Sequence, residues 1–135
     1  MRFFTHYHVS TPASQRAIGG LGNAASVVNS LLFDHTGEFG YYGAFGIGDN
    51  GPFTLPTAAS LTPAQVTELK SVSVAIGGGY QDPHHWYHVS EVALLTSVGV
   101  PVFPDFVDSG HDWYSWRINV KDFLTRVAFF PPPAG

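Results

Sequence analysis

The sequence predicts an α/β fold: three αβα layers around about four parallel strands. Three observations carry that expectation. Short apolar runs of strand length alternate with longer segments of helical period. Two of the helical segments open on a cap-plus-proline signal, Thr62-Pro63 and Asp82-Pro83. The chain has 135 residues, 44% of them apolar, which is enough for one core and too little for two.

In chain order, Ala17–Leu21 reads as the first strand. Asn23–Asp34 follows as a helix whose small residues gather on one side, suited to close packing on a sheet. Phe39–Phe45 is the second strand and ends in a loop over Gly46–Pro56. Thr62 caps a short helix that has Pro63 at its first position. Val72–Ile76 is a third, largely apolar strand, followed by a glycine run. Asp82-Pro83 opens a helix reaching about Val98. Val100–Val107 is the fourth strand, broken by Pro104. Asp112–Phe129 is a final amphipathic helix with Trp116, Val120, Phe123 and Leu124 on one stripe. Trp116 and Phe123 are expected in the core. Alternating strands and helices imply a parallel sheet covered by helices. Residues 1–12 read as an arm and 130–135 as a proline-rich tail on a single domain spanning 1–135.

Composition removes several function classes. Net charge is −4, and the six Lys and Arg residues are scattered singly. No basic patch exists, so nucleic acid is not an expected partner. There is no cysteine, which excludes disulfides and thiol catalysis. No apolar run is long enough to cross a bilayer as a helix, and no membrane partner is expected. Met1-Arg2-Phe3-Phe4 is too short for a signal peptide, leaving a cytoplasmic or a truncated secreted protein.

Arg16 to Ala25 read R-A-I-G-G-L-G-N-A-A. A strand runs into Gly20-Leu21-Gly22-Asn23-Ala24 and then a helix. That is the layout of a nucleophile elbow, G-x-S-x-G, with Gly22 where the serine would stand. Asp82 follows the third strand, and His111 follows the fourth, in Ser109-Gly110-His111-Asp112-Trp113. Elbow, acid and histidine come in the chain order of α/β-hydrolase triads. With F-G-Y-Y-G-A-F-G, G-G-G-Y-Q-D and S-G-H-D-W-Y-S-W-R-I-N-V-K-D-F-L, these segments resemble the C-terminal half of the esterase D and feruloyl esterase-like family. The likeness runs from about Tyr7 onward.

The resemblance implies that Asp82 and His111 are the catalytic acid and histidine. An imidazole held by a carboxylate is suited to general-base work. Asp82 is equally placed to cap the helix after Pro83. The backbone at Gly22 and Asn23 would form the oxyanion donor. Aryl or cinnamoyl esters are the implied substrates, small or polymeric, with Trp86, Trp113 and Tyr114 as substrate-binding candidates. Tyr41, Tyr42 and Phe53 are further aromatics near the expected site loops. The family's N-terminal strands have no counterpart in the sequence, which leaves the first strand as an open edge. A homodimer is therefore expected, with Phe3, Phe4 and Tyr7 as candidates to cross over; the alternative is that the arm folds back on its own sheet.

No cofactor is expected. Gly20-x-Gly22-x-x-Ala25 fits a loose dinucleotide fingerprint, but no acidic residue ends the next strand, so NAD is rejected. His84 and His88 stand four apart and could hold zinc with His111 or Asp82, as an alternative to a metal-free site. Three functional readings follow. The first is ester hydrolysis by His111-activated water without a serine. The second is a non-catalytic binding module on an esterase scaffold. The third is a metal-dependent hydrolase.

Overall fold

The apolar runs become one parallel sheet: β1 (Ala17–Leu21), β2 (Tyr41–Phe45), β3 (Ser73–Gly79) and β4 (Val102–Val107), lying side by side in that order. The computed structural model describes residues 6–48 and 53–130. Ile18 lies opposite Tyr42, Tyr42 opposite Val74, and Val74 opposite Val102. Successive residues of a strand face opposite sides. Ile18, Tyr42, Ala44, Val74 and Ile76 therefore enter one core, while Ala17, Leu21, Tyr41, Phe45, Ala75 and Phe103 enter another.

The helices are α1 (Asn23–Asp34), α2 (Pro63–Leu69), α3 (His85–Ser97) and α4 (Trp113–Asp122). Parallel strands joined in sequence by right-handed crossovers put every connecting helix on the same face. Val28 and Leu32 of α1, Leu69 of α2, and Leu94 and Leu95 of α3 accordingly share the first core. Only α4, which follows the last strand, folds back over the other face, where Phe123 and Val127 pack against Phe45 and Ala75. Three layers result, as the sequence predicted.

β1 and α1 have the boundaries read from sequence, and Thr62 caps α2 in a reciprocal box with Gln65. Elsewhere the boundaries move for identifiable reasons. β2 begins at Tyr41 rather than Phe39, with Gly40 already bonded to the Arg16 carbonyl and the Ser73 N–H just before it. β3 runs on through Gly77, Gly78 and Gly79. A Cβ on Gly77 would collide with the Asp105 carbonyl, and one on Gly79 with the Ser109 carbonyl. The glycines let neighbouring backbone approach closely.

Pro104 does not break β4; it sits opposite Ile76 within a continuous strand. β4 is an edge strand, so the missing N–H removes no ladder bond. The last helix does not continue to Phe129. It gives way at Phe123–Val127 to a π-turn, which rotates Leu124 outward to 56% exposure. The buried stripe is thus Ser115, Asn119, Phe123 and Val127, not the one holding Trp116, Val120 and Leu124.

Candidate active site

The C-terminal ends of β1, β2, β3 and β4 carry the residues that sequence singled out. Gly22 joins β1 to α1 with φ 58° and ψ −127°, a conformation that L side chains rarely adopt. Its N–H donates to the Phe45 carbonyl at 3.0 Å, and its own carbonyl accepts from Ala25 at 3.0 Å. Gly20 has no room for a side chain, since a Cβ there would strike the Ala24 carbonyl. At Gly22 a Cβ would meet only the indole tip of Trp116, at 3.8 and 3.9 Å. Asn23 begins α1, so its N–H lacks an intrahelical acceptor. Its Oδ1 fills the space that a side chain on Gly48 would need.

Asp82 and His111 are brought together. Asp82 Oδ2 lies 2.7 Å from His111 Nδ1, with the Asp82 side chain 2% and the His111 side chain 35% exposed. A carboxylate only accepts, so Nδ1 carries the hydrogen and Nε2 the lone pair. The other oxygen, Oδ1, accepts from the His84 backbone N–H at 2.8 Å. Asp82 does not cap the helix, whose N-cap is His84; its Oδ1 instead ties the turn that leads into it, and Oδ2 is left to His111.

The loop that presents His111 is held by Asp112, a role that sequence reasoning missed. Asp112 Oδ2 accepts from the Ser109 hydroxyl at 2.6 Å and from the Gly110 N–H at 3.1 Å. Oδ1 accepts from the Ser115 N–H at 3.0 Å, capping α4. The Ser109 hydroxyl, then the Ser115 N–H, hold the Asp112 carboxyl below the usual carboxylate range. The signal was present as serines three residues before and three residues after the aspartate.

Trp116 is not core. It is half-buried, meets the His111 ring edge-on at 4.9 Å, and packs against both Gly22 and Gly46. Trp113, 67% exposed, lies 5.2 Å from Trp116 and adjoins the same place. Tyr114 is exposed beside it. Trp86 is exposed on the first turn of α3 and its ring meets Tyr87. Tyr42 is fully buried and its hydroxyl donates to the His35 carbonyl, so it belongs to the core rather than the site. Tyr41 opens β2 at the opposite end of the sheet, against Phe129. Phe53 stacks on Phe33 and lines a cavity of about 380 Å³ between α1 and residues 53–65, away from His111. Phe3 and Phe4 lie outside the described residues; Tyr7 is exposed and meets His6.

The histidine trio expected for a metal does not assemble. His84 is the residue before α3, not part of it. His88 is 1% exposed, and both ring nitrogens are engaged. Nε2 accepts from the Ile47 N–H at 2.8 Å, and Nδ1 faces Glu91 Oε2 at 3.3 Å. Its place beside His84 and His111 is taken by Asp82. Ligand atoms of Asp82, His84 and His111 lie within 4.8 Å of one another.

No protein-family profile matches the chain, and no curated protein matches it in sequence. Solved structures do match. A ferulic acid esterase superposes with a TM-score of 0.77 at 19% identity, over 96% of this chain and 58% of its own. A ferulic acid esterase from the anaerobic fungus Anaeromyces mucronatus gives 0.74 at 17% identity, over 95% of this chain and 49% of its own. An S-formylglutathione hydrolase from Staphylococcus aureus gives 0.71 at 14% identity, over 92% and 60%. The chain shares the α/β fold of these esterases and hydrolases and spans about half to three-fifths of their length.

Proposed function

We propose that the chain is an ester hydrolase of low activity, in which His111 draws a proton from water through Nε2. One observation carries the reading: the Asp82–His111 pair at 2.7 Å stands beside the turn at Gly22, with Trp116 packed against both. Asp82 fixes the tautomer and would stabilise the imidazolium as it forms. The water, now hydroxide-like, attacks the ester carbonyl carbon. N–H groups at the start of α1, beginning with Asn23, face the developing oxyanion. His111 then returns the proton to the departing alkoxide. Gly22 occupies the nucleophile position and contributes conformation only.

Aromatic esters are the proposed substrates, small or polymeric. Exposed Trp113 packs on Trp116, whose ring meets His111; Tyr114 is exposed next to it in the chain; and two of the similar structures are ferulic acid esterases by name. Loss of a serine leaves roughly a thousand-fold acceleration over water in model hydrolases, from the oxyanion site and binding. The test is aryl-ester hydrolysis by the purified chain beside His111→Ala. A wild-type rate above background that disappears in the mutant supports the reading. Equal rates in both overturn it.

The absent side chain at Gly22 favours a second reading, a binding module that keeps the scaffold without turnover. Saturable binding of an aryl ester with no product formed would select it.

A further inference from the structure

The geometry points to a binding site for a divalent transition cation, with Zn²⁺ the best match, formed by Asp82, His84 and His111. Carboxylate and imidazole are zinc's usual nitrogen and oxygen donors. Asp82 sits between the two histidines. His84 Nδ1 is 3.6 Å from Asp82 Oδ1, and His111 Nδ1 is 2.7 Å from Asp82 Oδ2. The two rings meet edge-on with centroids 6.2 Å apart. In a tetrahedral zinc site, bonds of about 2.0–2.2 Å put ligand atoms roughly 3.4 Å apart. The three atoms here lie within 4.8 Å of one another, an ångström or so beyond that spacing.

Two further features favour the site. The His84 backbone N–H holds the Asp82 carboxylate at 2.8 Å, the kind of outer support that orients metal-binding carboxylates. Exposure is graded across the three: Asp82 at 2%, His84 at 22% and His111 at 35%. A cation seated on the carboxylate would therefore keep one side toward solvent. His88, the ligand expected from helical spacing, takes no part.

Zinc binding has a definite effect on the proton of His111. The metal takes the Nδ1 lone pair, so the hydrogen held there moves to Nε2. No proton is released and the ring stays neutral. Nε2 then carries hydrogen and can no longer accept one from water. The cation thus opposes the hydrolytic arrangement proposed above, while its binding does not depend on that arrangement being active.

The test is a zinc titration of the whole chain, followed by calorimetry and by the nitrogen-15 resonances of the imidazoles. One equivalent should bind, and His111 should pass from the Nδ1–H to the Nε2–H form. His84→Ala should weaken binding by about tenfold or more, while His35→Ala should leave it unchanged. Asp82→Asn, which keeps an oxygen for the His84 N–H, should weaken it similarly if His84→Ala is poorly folded. Binding as tight as the wild type's in both His84→Ala and Asp82→Asn overturns the site. So does a His111 ring still protonated on Nδ1 at saturating zinc. The titration reads imidazole nitrogens, so it is independent of turnover. The ester rate measured in a chelator tests the hydrolytic reading separately.

Discussion

Gly22 holds a positive φ that most residues avoid, yet its missing Cβ points into ordinary contact distance of Trp116. Space does not forbid a serine; only backbone strain opposes it, at about 1–2 kcal/mol. Gly22→Ser should therefore fold, melt somewhat lower, and hydrolyse aryl esters faster than the wild type. Covalent labelling by a fluorophosphonate, read by mass spectrometry, checks the new nucleophile. A folded, unlabelled variant would mean that the elbow does not present its side chain. Asp112 makes a second prediction at this scale. Its folded-state pKa is lowered, so the stability it confers is present above the ordinary aspartate value and is lost as pH falls through the folded value. The Ser109–His111 loop should loosen in acid below about pH 4, and Asp112→Asn should remove that transition from the loop's amide exchange.

At the scale of elements, the contact between α3 and the end of β2 depends on His88. Its two nitrogens join the Ile47 N–H to Glu91, and Glu91 is fully buried. Tyr87 lies beside them, and burial first, then the Glu91 charge, push its phenol well above the ordinary tyrosine value. His88→Leu should cost about 3 kcal/mol or more, because it strands a buried charge and an N–H together. Adding Glu91→Leu should recover part of that loss. Chemical denaturation of the single and double variants measures both.

The pattern of what was legible follows from this. β1, α1 and the Thr62 cap were readable because their signals are local: an apolar run, a small-residue face, a hydroxyl before proline. Pro104 misled because tolerance of proline depends on being at an edge, which is a property of the sheet. Leu124 misled because a π-turn at Phe123–Val127 shifts the helical phase, and no residue type announces it. His88 read as a surface ligand because spacing places a side chain on a face without saying whether that face is buried. Asp82 and His111 were found through resemblance, and the distance between them could not come from spacing at 29 residues' separation.

For the whole molecule, β1 is the edge strand of the described sheet that holds neither a charge nor a proline, unlike β4. Its sequence Ala-Ile-Gly-Gly-Leu carries no charge, Gly19 is exposed, and its outer N–H and C=O groups have no neighbouring strand among the described residues. Protected edges normally carry a charge, a proline or a cover. The proposed assembly is a homodimer that buries this edge. Light scattering should give twice the chain mass, and Gly19→Lys should return it to one chain. A single-chain mass for the wild type would count against the dimer.

The sheet order, identical to the chain order, bears on how the molecule is made. Each strand pairs with the one synthesised just before it, so no pairing waits for a distant segment. Sheets whose order reverses must hold an early strand open until a late one arrives, and such distant closures slow folding. Here a nascent chain can add one strand and one helix at a time onto a growing edge. Only the final segment, α4 with Phe123 and Val127, must reach back across the sheet to seal its second face. Among the described elements, the segment synthesised last is the one that closes this face. Until it does, Phe45 and Ala75 are open to water, and a chaperone would find its target there.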